Sequence, residues 1–148
     1  MSQITLAALL ETKGYDVYSI APSASVFEAI KIMSERGVGA LIVMEGDELA
    51  GILSERDYTR KVVLQGRASR ETKVAEIMTP DVITASLDLT LEQAMRLVSE
   101  RRIRHLPVTK DGRVVGVISS GDMIKTLISL QRETIEQLQH YIGGGYMA

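Results

Sequence analysis

Apolar residues recur along this chain in two rhythms, and each rhythm is written twice. Val26, Ala29, Ile30 and Met33 fall at helical spacing, as do Leu91, Ala94, Met95 and Val98, which predicts an amphipathic helix in each stretch. Ser25 with Glu28, and Thr90 with Gln93, stand just ahead in the pattern of a capping box. A β-rich pair follows each helix: ALIVM then LAGILS, and HLPVT then VVGVIS, joined through EGDE and KDGR. The Gly- and Asp-containing joints read as hairpin turns. A further helix closes each copy, carrying Tyr58, Val62 and Val63 in one and Met123, Leu127 and Ile128 in the other.

A shift of 65 positions, the distance from Asp57 to Asp122, aligns residues 17–63 with 82–128 without a gap. A short extended stretch opens each copy, so the predicted unit is β-α-β-β-α, repeated, in an α/β (α+β) fold. Roughly 50 residues cannot bury an independent core, and the two repeats are expected to pack sheet to sheet. A small lead-in stands before each copy, TLAALL near the start and KVAEIM ahead of Thr79-Pro80. The organisation reads as repeat 1 with its lead-in over 1–66, linker and repeat 2 over 67–128, and a helical tail over 129–148. The tail carries Leu130, Ile135, Leu138 and Ile142 and is expected to close at Gly143 to Gly145. A partner surface and packing on its own body are both open for it.

Composition narrows the classes. The 148 residues hold 17 basic and 19 acidic side chains, a net charge of -2, which exerts no general pull on nucleic acid or anionic membrane. Absence of cysteine removes disulfides, thiolate zinc sites and cysteine nucleophiles, and fits a reducing compartment, with cytoplasm the expectation. No Lys or Arg precedes Lys13, so no signal peptide is expected. No apolar run reaches the roughly 18 residues of a membrane span.

The chemistry gathers where the repeat is most literal. GILSERD and GVISSGD each place a serine three residues ahead of an aspartate, at a strand-to-helix junction. Taken alone, S-x-x-D is a helix cap. In both repeats, however, it lies behind Gly51 or Gly116, where a missing side chain lets another backbone or a ligand approach. A carboxylate there is able to accept both hydroxyls of a ribose while nearby amides face a phosphate. Arg101, Arg102, Arg104 and His105 form the densest basic patch. Arg101 and its counterpart Arg36 read as helix-end charges. Arg104 and His105 instead replace Gly39 and Ala40 at a strand entry, a placement that invites phosphate. Arg56 precedes Asp57, whereas Gly121 precedes Asp122.

GILSERD, GVISSGD and RIRHLPV at matched spacing resemble a tandem pair of cystathionine-beta-synthase-type (CBS) domains, the Bateman module, over Val17 to Ile128. With the helix TIEQLQHYI they are most similar to small stand-alone bacterial CBS-pair proteins. The resemblance implies two clefts between the repeats, related by a pseudo-twofold axis, that bind AMP, ATP, NAD(H) or S-adenosylmethionine. Asp57 and Asp122 would hold ribose, with Ser54 and Ser119 beside them. The Asp122 cleft would direct Arg104 and His105 to phosphate, Val38, Gly39 and Ala40 to adenine, and Tyr18 to the wall. The Asp57 cleft would use Arg56 for phosphate and Ile83, Ile103 and the backbone of Arg104 and His105 for the base. The differences between copies predict unequal affinities, and a single occupied site is an open alternative.

The resemblance also implies a homodimer. The expected function is a non-catalytic sensor of adenosine nucleotides that modulates an unidentified protein and requires no cofactor. A scaffold or weak nucleic-acid binder is the alternative, although 4% aromatics and no Trp offer little for base stacking. An enzyme ranks behind it: GxxxxGK[ST], G-x-S-x-G and H-E-x-x-H are all missing, and the two histidines are far apart.

Overall fold

The computed structural model describes residues 4–147, with side chains described as far as Ile142. Residues 1–3 and 148, the outer ends of the first and last assigned segments, lie outside the described residues. Each repeat builds a three-stranded sheet. In the first, β1 (Ser19–Ile20) runs parallel to β2 (Ala40–Glu45), which pairs antiparallel with β3 (Glu48–Ser54). In the second, β4 (Ala85–Ser86), β5 (His105–Lys110) and β6 (Arg113–Ser119) repeat that order. The sheets approach one another along β3 and β6.

Helices α2 (Val26–Arg36) and α5 (Leu91–Arg101) cover the sheets with the apolar stripes expected of them, burying Val26, Ala29 and Met33 in one and Leu91, Ala94 and Val98 in the other. The capping box is complete at Thr90 and Gln93. At Ser25 only half of it forms: the hydroxyl accepts from the Glu28 N–H, and the Glu28 side chain does not return the bond.

The lead-in helices cross over. Helix α1 (Leu6–Lys13), which precedes the first repeat, buries Leu6, Leu9 and Leu10 in the core of the second, among Leu91, Leu106, Val108, Ile118 and Met123. Helix α4 (Val74–Ile77), which precedes the second repeat, buries Val74 and Ile77 in the core of the first, among Val26, Leu41, Leu53 and Val62. Matching backbone bonds fix both: Leu6 N–H to Leu89 O at 2.8 Å and Leu91 N–H to Ile4 O at 2.9 Å, against Val74 N–H to Ala24 O at 2.9 Å and Val26 N–H to Thr72 O at 2.8 Å. A division of the chain at residue 66 is therefore one of sequence order, and both cores cross it.

This exchange answers what approaches the two strand glycines. A Cβ at Gly116 would lie 2.8 Å from both Leu10 methyls, and one at Gly51 would lie 2.8 Å from Met78 Sδ and 2.8 Å from the Thr79 carbonyl oxygen. The visitors are the incoming lead-in segments, and at Gly51 the approaching backbone is also bonded to Ile52.

Helix α3 (Glu55–Tyr58) continues as a π-helical turn over Thr59–Val63. Its counterpart α6 runs unbroken from Ser120 to Met147. The tail is thus the second half of the last repeat helix, and the glycines Gly143 to Gly145 continue it where the sequence suggested a stop. Ile135, Leu138 and Ile142 on its outer half are exposed, while Leu130 packs against the second core. Among the described residues no helix is long and apolar enough to cross a membrane.

Gly51→Ala is expected to lower stability by about 1–3 kcal/mol through overpacking, and Gly116→Ala by less, because a leucine side chain shifts more readily than the Thr79 carbonyl. Urea unfolding of the two variants measures the difference; equal, negligible effects would contradict the close packing.

Candidate functional site

Each S-x-x-D sequence lies where the last strand of a sheet turns into a helix. The first residue of the middle strand sits opposite the serine: Ala40 faces Ser54, and His105 faces Ser119. Glu55 N–H donates to Gly39 O at 3.0 Å and Ser120 N–H to Arg104 O at 2.8 Å, so strand entry and helix start are tied together in both repeats. Both aspartates do act as caps. Asp57 Oδ2 accepts the Ser54 N–H at 2.9 Å and Asp122 Oδ2 accepts the Ser119 N–H at 2.8 Å, while each serine hydroxyl accepts the aspartate N–H.

Capping uses one carboxylate oxygen and leaves the other. Asp57 Oδ1 takes Lys61 Nζ at 3.1 Å, with the Thr79 hydroxyl at 3.5 Å. Asp122 has no lysine four residues on, because Thr126 stands there. Its cation arrives from the lead-in: Lys13 Nζ lies 2.6 Å from Asp122 Oδ2 and also donates to the Val117 carbonyl. Asp122 Oδ1 carries no hydrogen bond among the described residues.

Two clefts open at these junctions. The Asp122 cleft encloses about 370 Å³ and draws Tyr18, Val38, Gly39 and Ala40 from the first repeat and His105, Ser119 and Asp122 from the second, with Lys13 and Asp16 at its edge. The Asp57 cleft, about 550 Å³, draws Ser54, Arg56, Asp57 and Arg60 from the first repeat and Arg102, Ile103, Arg104 and His105 from the second. Both volumes suit a small-molecule ligand. Gly39, His105 and Ser119 line both, so the clefts share a wall. A Cβ on Gly39 would lie 3.1 Å from Glu55 Oε1 and 3.6 Å from His105 Nε2, so both side chains stand close over this part of the wall.

Of the residues singled out from sequence, two depart from their expected placement, one of them in part. Arg104 lines the Asp57 cleft, where its backbone was expected, and is not among the residues lining the Asp122 cleft, to which its side chain was assigned. Ile83 packs against the second core and lines neither cleft, whereas its counterpart Tyr18 lines the Asp122 cleft, with the Arg36 guanidinium 5.2 Å above its ring. Lys13, Asp16, Arg60 and Thr79 were not singled out from sequence. Arg60, four residues beyond Arg56 on a helical face, was open to discovery by spacing; Lys13 was not, since it reaches its site only through the crossing of α1. Among the described residues, no cluster of His, Asp or Glu is arranged to hold a metal ion.

Burial lowers the pKa of His105, and Lys13 and Arg104 reinforce it against the opposing pull of Asp122. The shared wall is therefore neutral at pH 7. For Asp122, burial alone raises the pKa, but Lys13 and the Ser119 N–H together outweigh it and leave the carboxyl below its ordinary value.

Both shifts make stability fall with acid. A carboxyl depressed in the fold contributes stability above the unfolded value of about 4, which is lost as pH drops through the folded value. An imidazole depressed in the fold is protonated first in the unfolded chain, so stability drains as pH falls below about 6.5. Lys13→Met is expected to raise the Asp122 titration midpoint in a carboxyl-resolved NMR titration, and His105→Gln to flatten the slope of stability between pH 5 and about 6.5. An unmoved Asp122 midpoint would show that the ion pair does not form.

Comparison with known proteins bears on this architecture. The family model for the CBS domain matches residues 11–64 and 74–129. The mitochondrial CBS domain-containing protein CBSX3 of Arabidopsis thaliana is 43% identical over 127 residues, which cover 82% of this chain and 62% of that protein, so the chain spans less than two thirds of that relative. A putative signal-transduction protein with CBS domains from Burkholderia ambifaria superposes with a TM-score of 0.82 at 44% identity, covering 84% of this chain and 94% of that one. The CBS domain pair of protein MJ0100, solved in complex with 5′-methylthioadenosine and S-adenosyl-L-methionine, superposes at 0.70 with 28% identity, covering 77% and 93%. The family model falls once on each repeat, over most of the chain: the chain belongs to the CBS-domain family, as a tandem pair.

Proposed function

We propose that this chain is a non-catalytic regulatory module that binds adenosine-containing ligands, AMP, ATP or NAD(H), between its two repeats and transmits occupancy to a partner protein. One observation carries the reading: each cleft is walled by both repeats and has an aspartate fixed at its rim. A ligand seated there touches both halves, so its affinity depends on their arrangement, which is the physical requirement for a switch. The aspartates are held in place by their own helix starts before any ligand arrives, so little ordering is left to oppose binding. The complex of the MJ0100 CBS pair with two adenosine compounds supports the ligand class.

Thermal unfolding against AMP, ADP, ATP, NAD, NADH and S-adenosylmethionine tests the reading. A ligand at about a hundred times its Kd contributes about 2.7 kcal/mol, a rise of several degrees in Tm. Asp57→Asn and Asp122→Asn keep an oxygen for the cap but lose the charged acceptor, and each is expected to weaken binding in its cleft about tenfold or more. Chromatography of the recovered nucleotide is expected to return it unchanged. A Tm indifferent to every adenosine compound would remove the proposal.

A further inference from the structure

Charge is divided unequally between the two clefts. Arg56, Arg60, Arg102 and Arg104 line the Asp57 cleft, facing the carboxylates of Asp57 and Glu55. Asp57 is already paired with Lys61, and none of the four guanidinium groups has a hydrogen-bond or ion-pair partner among the described residues. In the Asp122 cleft, Lys13 stands against Asp16 and Asp122 and is already bound to the latter; His105 in the shared wall stays neutral.

Backbone geometry adds an independent sign. Helices α2 and α5 both end in a left-handed residue, Gly37 at φ 65° and Arg102 at φ 54°. Glycine adopts that conformation freely; a side chain is strained in it. The second repeat thus keeps a strained arginine at the cleft where the first has an unstrained glycine, and strain of this kind collects where a side chain serves a site.

We propose that the Asp57 cleft is a polyphosphate site: it takes an adenosine nucleotide with a di- or triphosphate chain, whose oxygens Arg56, Arg60, Arg102 and Arg104 neutralise, while the Asp122 cleft takes adenosine ligands with one phosphate or none. This rests on the adenosine reading above and assigns a ligand class to each cleft. Guanidinium forks match phosphate oxygens in pairs, and four of them exceed what one phosphate engages. The charge of the site is supplied across the repeat boundary, two arginines from each side, so a polyphosphate draws the halves together where a nucleoside does not.

Calorimetric titration of the intact chain with AMP, ADP, ATP and inorganic tripolyphosphate, at low and high salt, tests it. Affinity is expected to rise about tenfold or more from AMP to ATP, with a steeper salt dependence for ATP. Arg102→Gly combined with Arg104→Gln should collapse that difference, while Arg96→Gln, an exposed arginine outside both clefts, should preserve it. Arg102→Gly alone is expected to raise Tm by a few degrees as strain is relieved and yet to weaken ATP; a higher Tm with unchanged ATP affinity would mark a merely structural arginine and overturn the assignment. ATP bound no tighter than AMP would overturn it too. Arginine-dependent binding of tripolyphosphate without binding of any adenosine compound would uphold the polyphosphate site and defeat the adenosine reading alone, whereas silence from tripolyphosphate and nucleotides together would defeat both.

Discussion

The structure depends on an exchange of lead-in helices. Neither repeat buries a full core with its own residues: Leu6, Leu9 and Leu10 complete the second, and Val74 and Ile77 complete the first. The crossing segments approach so closely that a Cβ beneath them would force a shift, of the Leu10 side chain at Gly116 and of Met78 or the Thr79 backbone at Gly51. Pulling the repeats apart would expose both cores at once, so the halves are coupled by the hydrophobic effect itself. Everything between them inherits a defined wall.

Within that frame the two aspartates answer to two demands. As helix caps they are fixed by the Ser54 and Ser119 amides. As charges they are balanced by lysines of unrelated origin, Lys61 from the same helical segment and Lys13 from the exchanged helix. The second arrangement links a cleft to the packing of α1, because Lys13 stays beside Asp122 only while Leu9 and Leu10 stay buried. Helix packing and cleft electrostatics are one event there.

A symmetric scaffold carries an asymmetric surface. The same backbone position holds Gly37 or Arg102, Gly39 or Arg104, Ala40 or His105, Arg56 or Gly121. Three of these exchanges put a basic or polar ring or fork in the second repeat, and the fourth puts one in the first, yet Arg56, Arg102 and Arg104 end on the same side of the shared wall. The repeat places two clefts at matching positions, and differences at a handful of rim positions separate their charges while the strands behind them keep the same register.

By itself the sequence determined the repeat, its register and the local elements, because helical spacing, strand runs and capping serines act over a few residues and leave their period in the chain. It also marked Asp57, Asp122, His105 and the Gly39-Ala40 wall, since those lie inside the repeat and can be compared between copies. Tertiary structure alone decided which lead-in joins which core, that Lys13 meets Asp122, and that Arg104 belongs to the Asp57 cleft while Ile83 faces neither. Those outcomes depend on contacts between residues far apart in the chain, such as Leu10 with Gly116, and no periodicity records such a contact, because each partner's own neighbours are satisfied whether or not it forms.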